Sequence, residues 1–283
     1  MTLAATDRQR IEASLGTTIR ATARLGGGQI ADVHRADLAD GRRVVIKQGG
    51  NLALEAWMLA TLAARTKVPV PQVYLGDDDL LVMDCAANDG RLDAAAETDL
   101  ADIVAGLHAV RGSQFGFERD TLIGSLPQPN PPAGDWRAFF RDHRLMAMGR
   151  TAVIARRLPV RLMTRIENLC GQLDKWIRSD SPPVLIHGDL WGGNILSSCG
   201  RITALIDPAL YHADPEIELA FMTLFNSVGE RFFARYRERA PWRPGFFEER
   251  RDLYNLYPLL VHVRLFGGPY VAQVERTLAR YGC

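Results

Sequence analysis

The sequence predicts an α+β chain, with a small antiparallel sheet followed by a larger, mainly helical region. Short strand-like runs separated by glycines and acidic turns fill residues 19–83. Beyond about residue 84, apolar residues recur at the i, i+3, i+4, i+7 spacing of amphipathic helices. We therefore expect two domains, with the sheet and one helix in residues 1–84 and the helical region in residues 85–283.

The sheet is predicted from five strand-like runs. The Asp40-Gly41 pair between two of these runs is a strong hairpin signal. A helical pattern runs from Leu54 to Leu62 and ends before Pro69. We expect a five-stranded antiparallel sheet with one inserted helix, the strands covering residues 20–25, 30–37, 43–47, 73–75 and 80–83.

The second domain is predicted to be helical. Helical spacing of apolar residues covers 100–107, 162–176, 252–265 and 271–279. Residues 127–132 are rich in proline and predict a loop.

Composition and charge restrict the class of protein. The 283 residues carry a formal net charge of +1, so no basic surface indicates a nucleic-acid or membrane partner. No secretory signal or membrane-spanning stretch is present, and the four cysteines are scattered, without the spacing of a zinc site. We expect a cytoplasmic protein; the sequence leaves its oligomeric state open and favours a monomer.

The most informative motif is His-Gly-Asp-Leu-Trp-Gly-Gly-Asn at residues 187–194, with Asp207 thirteen residues beyond Asn194. In kinases an Asp with an Asn five positions later supplies the catalytic base and a metal ligand, and a later Asp completes the metal site. Such sites use oxygen ligands because Mg²⁺ is a hard cation. Apolar runs at 184–186, 195–196 and 202–206 predict short strands around this set. The alternative is a turn with helix-capping Asp and Asn residues.

Two features of the sheet fit nucleotide binding. Gly26, Gly27 and Gly28 superficially match a dinucleotide fingerprint, but a hairpin pattern follows them instead of a helix. They instead predict a flap whose backbone covers phosphates, and a purely structural turn remains the alternative. Lys47 ends a Val-Val-Ile-Lys run and is predicted to contact the α/β-phosphates, oriented by Glu55. Its alternative is a solvated edge charge.

The histidines give weaker signals. His187 directly precedes the motif and is expected to fix the shape of the loop. The others, including His108, lack metal-ligand spacing and are expected to be structural or solvated.

The motif at 187–194, with Asp-Pro-Ala-Leu-Tyr at 207–211, resembles the fructosamine kinase (ketosamine-3-kinase) family of the aminoglycoside phosphotransferase-like clan. Further matches, such as Asp135-Trp136 and Phe266-Gly267-Gly268, extend the resemblance from about Gly16 to the C-terminus. The chain departs from the family pattern at 212–216, at 225–228, and at Gly192, where a Ser is usual. These departures do not touch the predicted base or metal positions.

The resemblance implies a bilobal protein-kinase-like fold and ATP- and Mg²⁺-dependent phosphorylation of the 3-hydroxyl of ketosamines, a deglycation repair activity. Asp189 would be the base, Asn194 and Asp207 would bind Mg²⁺, and Lys47 would bind phosphate. The backbone of a hinge formed by Met83, Asp84, Cys85 and Ala86 would bind adenine.

Three further residues are expected near the substrate. Trp191 is placed to lie against a sugar ring, or else belongs to the core. Asp214 and Glu216 could attract the protonated amine of the substrate, or else form an exposed, solvated start of a helix.

Two other functions remain open. The chain could phosphorylate another small hydroxyl compound, such as an aminoglycoside or a choline-like alcohol. It could also be a nucleotide-binding scaffold without turnover, although the presence of Lys47, Asp189, Asn194 and Asp207 together argues against this.

Overall fold

The computed structural model describes residues 3–26, 32–178 and 180–283. The chain divides into two compact units. The first comprises Met1–Ile103 with Gly193–Pro208, and the second comprises Val104–Gly192 with Ala209–Cys283. The predicted domain boundary at residue 84 stays a prediction.

The helices and strands of the described residues follow in chain order. The strands are β1 (Ile19–Arg24), β2 (Asp32–Leu38), β3 (Arg43–Gln48), β4 (Val73–Gly76), β5 (Leu80–Asp84), β6 (Thr121–Ile123), β7 (Leu126–Gln128), β8 (Val184–Ile186), β9 (Ile195–Ser198), β10 (Arg201–Leu205) and β11 (Tyr211–Ala213). The α-helices are α1 (Ala5–Leu15), α2 (Leu52–Arg65), α3 (Ala94–His108), α4 (Trp136–Phe139), α5 (Ala147–Ile154), α6 (Val160–Cys170), α7 (Pro215–Leu224), α8 (Glu230–Arg239), α9 (Arg251–Phe266) and α10 (Pro269–Arg280).

The first unit contains the predicted five-stranded antiparallel sheet. Its strand order is β1-β2-β3-β5-β4, and α2 is the predicted inserted helix. The Asp40-Gly41 hairpin is also present, and Gly41 supplies a left-handed residue with φ 90°. The sheet prediction is therefore confirmed, with the described strand ends shifted by at most one residue, while residues 30 and 31 of the second predicted strand lie outside the described residues.

The two faces of this sheet pack against different helices. Val44 and Ile46 of β3 share a core with Ile11 of α1. Val45 packs instead with a cluster that includes Leu59 of α2. Because side chains alternate along a strand, Lys47 lies on the same face as Val45, towards α2.

Helix α1 was not predicted, because Ile11 and Leu15 are its only buried residues and two apolar positions give too weak a helical pattern. The helix is tied to the acidic turn before β5 by Arg10, which pairs with Asp77 and Asp79. Such exposed ion pairs contribute little to stability. The main role of α1 is to cover one face of the sheet.

A second antiparallel pair, β9 and β10, also belongs to the first unit. Its contacts with the rest of the unit include two hydrogen bonds donated by backbone N–H groups of β10. The N–H of Leu205 donates to the carbonyl of Pro69 (2.8 Å), and the N–H of Ile202 donates to the carboxylate of Asp99 (2.8 Å). The contact of Leu205 fixes the end of β10, which leads into Asp207.

The second unit is mainly helical around small strand pairs. Helix α7 packs against α9, while β8 pairs with β11 and β6 pairs with β7. The predicted loop at 127–132 is partly wrong, because Pro127 lies in β7. A two-stranded pair tolerates Pro there, since an edge strand has N–H positions that need no ladder partner.

The helix predicted over 162–176 is shorter than expected. Helix α6 ends at Cys170, and after Gly171 the chain forms a 3₁₀ turn over Leu173–Lys175. In the parts of the chain that the structure describes, no helix has both the length and the apolar composition needed to cross a bilayer.

Candidate active site

The side chain of Lys47 lies at the centre of the polar cluster in the first unit. Its Nζ donates to Oε1 of Glu55 at 2.6 Å and also to Oδ1 of Asp207. Lys47 is only 6% exposed, so the alternative of a solvated edge charge is wrong. The predicted Lys47–Glu55 pairing is present, whereas the contact with Asp207 was not predicted.

The short connection between β3 and α2 makes the Lys47–Glu55 pair possible. Asn51 adopts a left-handed conformation with φ 63°, and this turns the chain directly into the helix. The N–H groups of Gly49 and Leu52 donate to the carbonyls of Asp79 and Asp78, each at 3.2 Å. The connection is thus held by the neighbouring turn, and Glu55 falls in the first turn of α2.

The charges in this cluster shift one another's pKa values. Burial disfavours the ammonium, but the Asp207 and Glu55 carboxylates outweigh burial, and the pKa of Lys47 is raised. Burial also raises the pKa of Glu55 to about 7, although Lys47 opposes this shift. Lys47 is therefore protonated at neutral pH, and Glu55 is the carboxylate whose ionisation depends on keeping the lysine beside it.

Asp207 is held in an unusual backbone conformation. Its φ is 54°, which for a residue other than glycine costs roughly 1–3 kcal/mol and occurs mostly at functional sites. The residue before it is also fixed, because the N–H of Ile206 donates to the carbonyl of Asn194 at 3.1 Å. Asn194 is buried, while the Asp207 side chain is 44% exposed. The two predicted metal ligands thus lie on neighbouring backbone segments of one unit.

The loop that carries Asp189 belongs to the second unit. It follows β8, whose pairing with β11 was not predicted. Gly188 has φ 85°, and a Cβ there would lie 2.1 Å from the carbonyl oxygen of Ala209. The N–H of Ala209 donates to the carbonyl of His187 at 2.7 Å, and the N–H of Asp189 donates to Nδ1 of His187 at 3.4 Å. His187 thus contributes to loop shape, as expected.

A buried carboxylate braces the same loop. Glu218 of α7 is 2% exposed, and its Oε1 accepts from the N–H of Gly188 at 2.7 Å. Its Oε2 accepts from Nε2 of His108 at 2.9 Å, and Nδ1 of His108 lies 2.7 Å from the hydroxyl of Tyr236. Burial alone would raise the pKa of Glu218, but the hydrogen bond from His108 and the further interactions lower it overall. Glu218 is therefore an ionised anchor for the residue that precedes Asp189.

Asp214 and Glu216 are not the exposed charges that the sequence predicted. Asp214 is 4% exposed and is the N-cap of α7, accepting from the N–H of Glu216 at 2.9 Å. Glu216 is 6% exposed and forms a bidentate pair with Arg250, at 2.6 and 2.9 Å. The prediction of exposure is wrong, because each carboxylate has an internal partner, although a helix does start here. Both carboxylates are therefore occupied by partners inside the second unit.

Trp191 is 40% exposed, so its interpretation as a core residue is wrong. Its ring lies edge-on to Phe225, with centroids 6.1 Å apart. The next residue is tethered to the same region, because the N–H of Gly192 donates to Oγ of Ser227 at 2.9 Å. Two of the departures from the family pattern, at 192 and in 225–228, are thus in contact.

The remaining nucleotide-binding predictions concern the segment 83–86 and the glycines at 26–28. Met83 is buried at the end of β5, the hydroxyl of Tyr74 donates to Asp84 (2.7 Å), and the N–H of Cys85 donates to the carbonyl of Arg43 (3.2 Å). The adenine role of this segment, which also includes Ala86, stays a prediction. Gly26 is described, whereas Gly27 and Gly28 lie outside the described residues.

The predicted base and metal ligands divide between the two units. Asp189 belongs to the second unit, and Lys47, Glu55, Asn194 and Asp207 belong to the first. In the described parts of the chain, no group of three or more His, Cys, Asp or Glu side chains forms a metal site. A cation bound by Asn194 and Asp207 would therefore need further oxygen ligands from substrate or water, which is usual for Mg²⁺.

Comparison with known proteins decides the family. The fructosamine kinase family model matches residues 3–281. This chain belongs to that family. It is a phosphotransferase with a protein-kinase-like fold, and both of these predictions are confirmed.

Individual relatives agree with this assignment. A Synechocystis sp. protein assigned as a ketoamine kinase is 34% identical over 238 residues, 82% of this chain and 77% of the relative. The chloroplastic protein-ribulosamine 3-kinase of Oryza sativa subsp. japonica is 37% identical over 164 residues, 55% of this chain and 45% of the relative. A solved structure from Thermobifida fusca, assigned as a fructosamine-3-kinase, is 30% identical with a TM-score of 0.86, covering 96% of this chain and 98% of that chain.

The Glu218 network was missed by sequence reasoning. Glu218 interrupts an otherwise apolar run, Ile217 to Met222, and a charge inside such a run was the available signal. Charged residues are rarely buried without a partner, so this position indicated a buried interaction.

We predict that Glu218→Ala lowers kcat at least about tenfold and costs about 2–4 kcal/mol of unfolding free energy, because Gly188 and His108 lose a buried acceptor. The KM for ATP should change less, since the Lys47 cluster belongs to the other unit. Steady-state kinetics and thermal unfolding measure both effects. Glu238→Ala is the control, since the side chain of Glu238 is 63% exposed. A folded Glu218→Ala variant with unchanged kcat would contradict the anchor role.

Proposed function

We propose that this kinase transfers the γ-phosphoryl group of ATP to the 3-hydroxyl of ketosamines, the sugar adducts of amines. The observation that carries the phosphoryl-transfer part is the buried ammonium of Lys47 between Glu55 and Asp207. An ammonium held in this way is a fixed positive charge for polyphosphate, and the lysine–glutamate pair is the arrangement that protein kinases require.

The nucleotide and metal roles follow from the same cluster. Lys47 would bind the phosphates, and Glu55 would keep its ammonium in place. Asn194 and Asp207 fit a magnesium ion because both offer oxygen donors and the Asp207 carboxylate is half-exposed. When bound, Mg²⁺ would neutralise the charge that develops on the transferred phosphoryl group.

Asp189 is the proposed base. Its carboxylate would accept the proton of the attacking 3-hydroxyl, a role that needs a side chain fixed within hydrogen-bond reach of that hydroxyl. The loop is suited to this role because Gly188 is held by Glu218 and residue 187 is bonded to Ala209. Positioning of this kind supplies a large part of the catalysis in phosphoryl transfer.

The ketosamine substrate is supported by the relatives and by Trp191. Relatives that align with this chain are named as ketoamine and ribulosamine kinases. The exposed Trp191, two residues after the proposed base, offers an apolar face to a sugar ring. The carbonyl of a ketosamine is at C2 and its amine is on C1, so loss of a C1 proton would give an enaminol that expels the phosphate from C3. Water would then hydrolyse the resulting C1 imine and release the amine. On this proposal the enzyme repairs glycated amines.

We predict that Asp189→Asn and Asp207→Ala each lower kcat by at least about 100-fold, because proton acceptance and metal charge both act in the transition state. Steady-state kinetics with Mg·ATP measures the effect. Circular dichroism should show folded proteins. Near wild-type turnover in either variant would remove that residue from the proposed chemistry.

A second prediction concerns nucleotide binding. Lys47→Met should raise the KM for Mg·ATP or lower kcat, while sugar binding changes little, because the proposed contact is to phosphate. Glu55→Gln should give a milder defect, because the lysine keeps Asp207 as a partner. A severe Lys47→Met defect with a silent Glu55→Gln would refute the orienting role of Glu55 and leave the kinase assignment intact.

The substrate itself is tested with a panel. Incubation with Mg·ATP and mass spectrometry should show a gain of one phosphoryl group on free or peptide-borne ribulosyl-lysine and fructosyl-lysine, with the ribulosyl adduct at least as good. An aminoglycoside in the same panel should gain none. Transfer to the aminoglycoside and to no ketosamine would overturn the substrate assignment.

A further inference from the structure

Five aromatic rings of the second unit form a continuous row that begins at Trp191. The members of this aromatic row are Trp191, Phe225, His262, Phe266 and Tyr270. Neighbouring ring centroids are 6.1 Å apart for Trp191 and Phe225, 5.0 Å for Phe225 and His262, and 5.6 Å for His262 and Phe266. Tyr270 lies 4.9 Å from His262 and 6.2 Å from Phe266.

Both ends of the aromatic row are open to solvent. Trp191 is 40% exposed and Phe266 is 43% exposed. The rings of Phe225, His262 and Tyr270 are half-buried. Exposed large apolar side chains that adjoin one another commonly mark a binding surface. Neither Trp191 nor Phe266 belongs to the Glu218 network or to the Lys47 cluster.

The aromatic row starts in the loop of the proposed base. The N–H of Trp191 donates to the carbonyl of Asp189 at 3.2 Å, and Gly192 is tethered to Ser227 beyond Phe225. A substrate whose reacting hydroxyl is at Asp189 and whose sugar lies on Trp191 therefore has aromatic surface next to it. The part of a ketosamine outside the sugar is its amine with the attached substituent.

The chemistry of the row suits that part of the substrate. His262 donates from Nδ1 to the carbonyl of Pro258 at 2.7 Å, and burial lowers the pKa of this histidine, so its ring is uncharged at neutral pH. The row thus offers neutral aromatic rings to an apolar or aromatic group attached to the amine. Aromatic rings pack favourably against other rings.

We propose that the aromatic row binds the amine side of the substrate and makes ketosamines with apolar or aromatic amine substituents the preferred class. This inference rests on the proposed ketosamine kinase function. The same rings also pack the end of α9 against α10, and that packing alone would affect every substrate equally. Selectivity between substituents is therefore the property that tests the proposal.

The test compares two substrates that share the sugar, the ribulose adducts of benzylamine and ethylamine. In the wild type, kcat/KM should be about three- to tenfold higher for the benzylamine adduct, the range expected for one aromatic contact. Phe266→Ala and Tyr270→Ala should each lower kcat/KM for the benzylamine adduct and leave the value for the ethylamine adduct within about twofold. Ile154→Ala is the matched control, because this 81% exposed apolar side chain lies outside the row.

Each other outcome overturns the inference. Equal kcat/KM for the two adducts in the wild type would show that the row does not select the substituent. A parallel loss on both adducts in Phe266→Ala and Tyr270→Ala would assign the row to packing alone. No transfer to either adduct by the wild type would overturn the proposed ketosamine function, and this inference would fall with it.

Discussion

The buried ammonium of Lys47 is the interaction on which the first unit depends. It holds carboxylates from two separate elements, Glu55 in the first turn of α2 and Asp207 after β10. Removing the lysine would leave the largely buried carboxylate of Glu55 without its partner, which in proteins is strongly destabilising. The same ammonium contacts Asp207, whose left-handed backbone conformation costs free energy. One charge thus links the sheet, its helix and the proposed metal ligand.

In the second unit the buried charge that holds separate elements together is negative instead of positive. Glu218, a buried carboxylate on α7, fixes the backbone of Gly188 and is itself held by His108. The loop can approach Ala209 so closely only because residue 188 has no Cβ. In both units a buried charge on one element fixes the backbone or side chain of another. This explains how short loops can present Asp189 and Asp207 in defined positions.

Much of this could be predicted from sequence where the interactions are local. Alternating apolar residues and the Asp40-Gly41 turn identified the sheet, and Glu55 was recognised as the acidic residue of the adjoining helix. The interactions that were missed join distant positions. Lys47 and Asp207 are 160 residues apart, and Glu216 and Arg250 are 34 apart. Charged residues are usually exposed, so Glu216 was expected at the surface; only the folded chain shows its partner. The contact between Gly192 and Ser227 was also missed, because it joins positions that are distant in the sequence.

The central claim is that Asp207, held by Lys47, is a metal ligand for the bound nucleotide. Calorimetric titration with ATP, with and without Mg²⁺, tests this claim most directly in wild-type protein and in Asp207→Ala. Mg²⁺ should tighten ATP binding to the wild type at least about tenfold and should have little effect on Asp207→Ala. An equal effect of Mg²⁺ on both proteins would contradict the account.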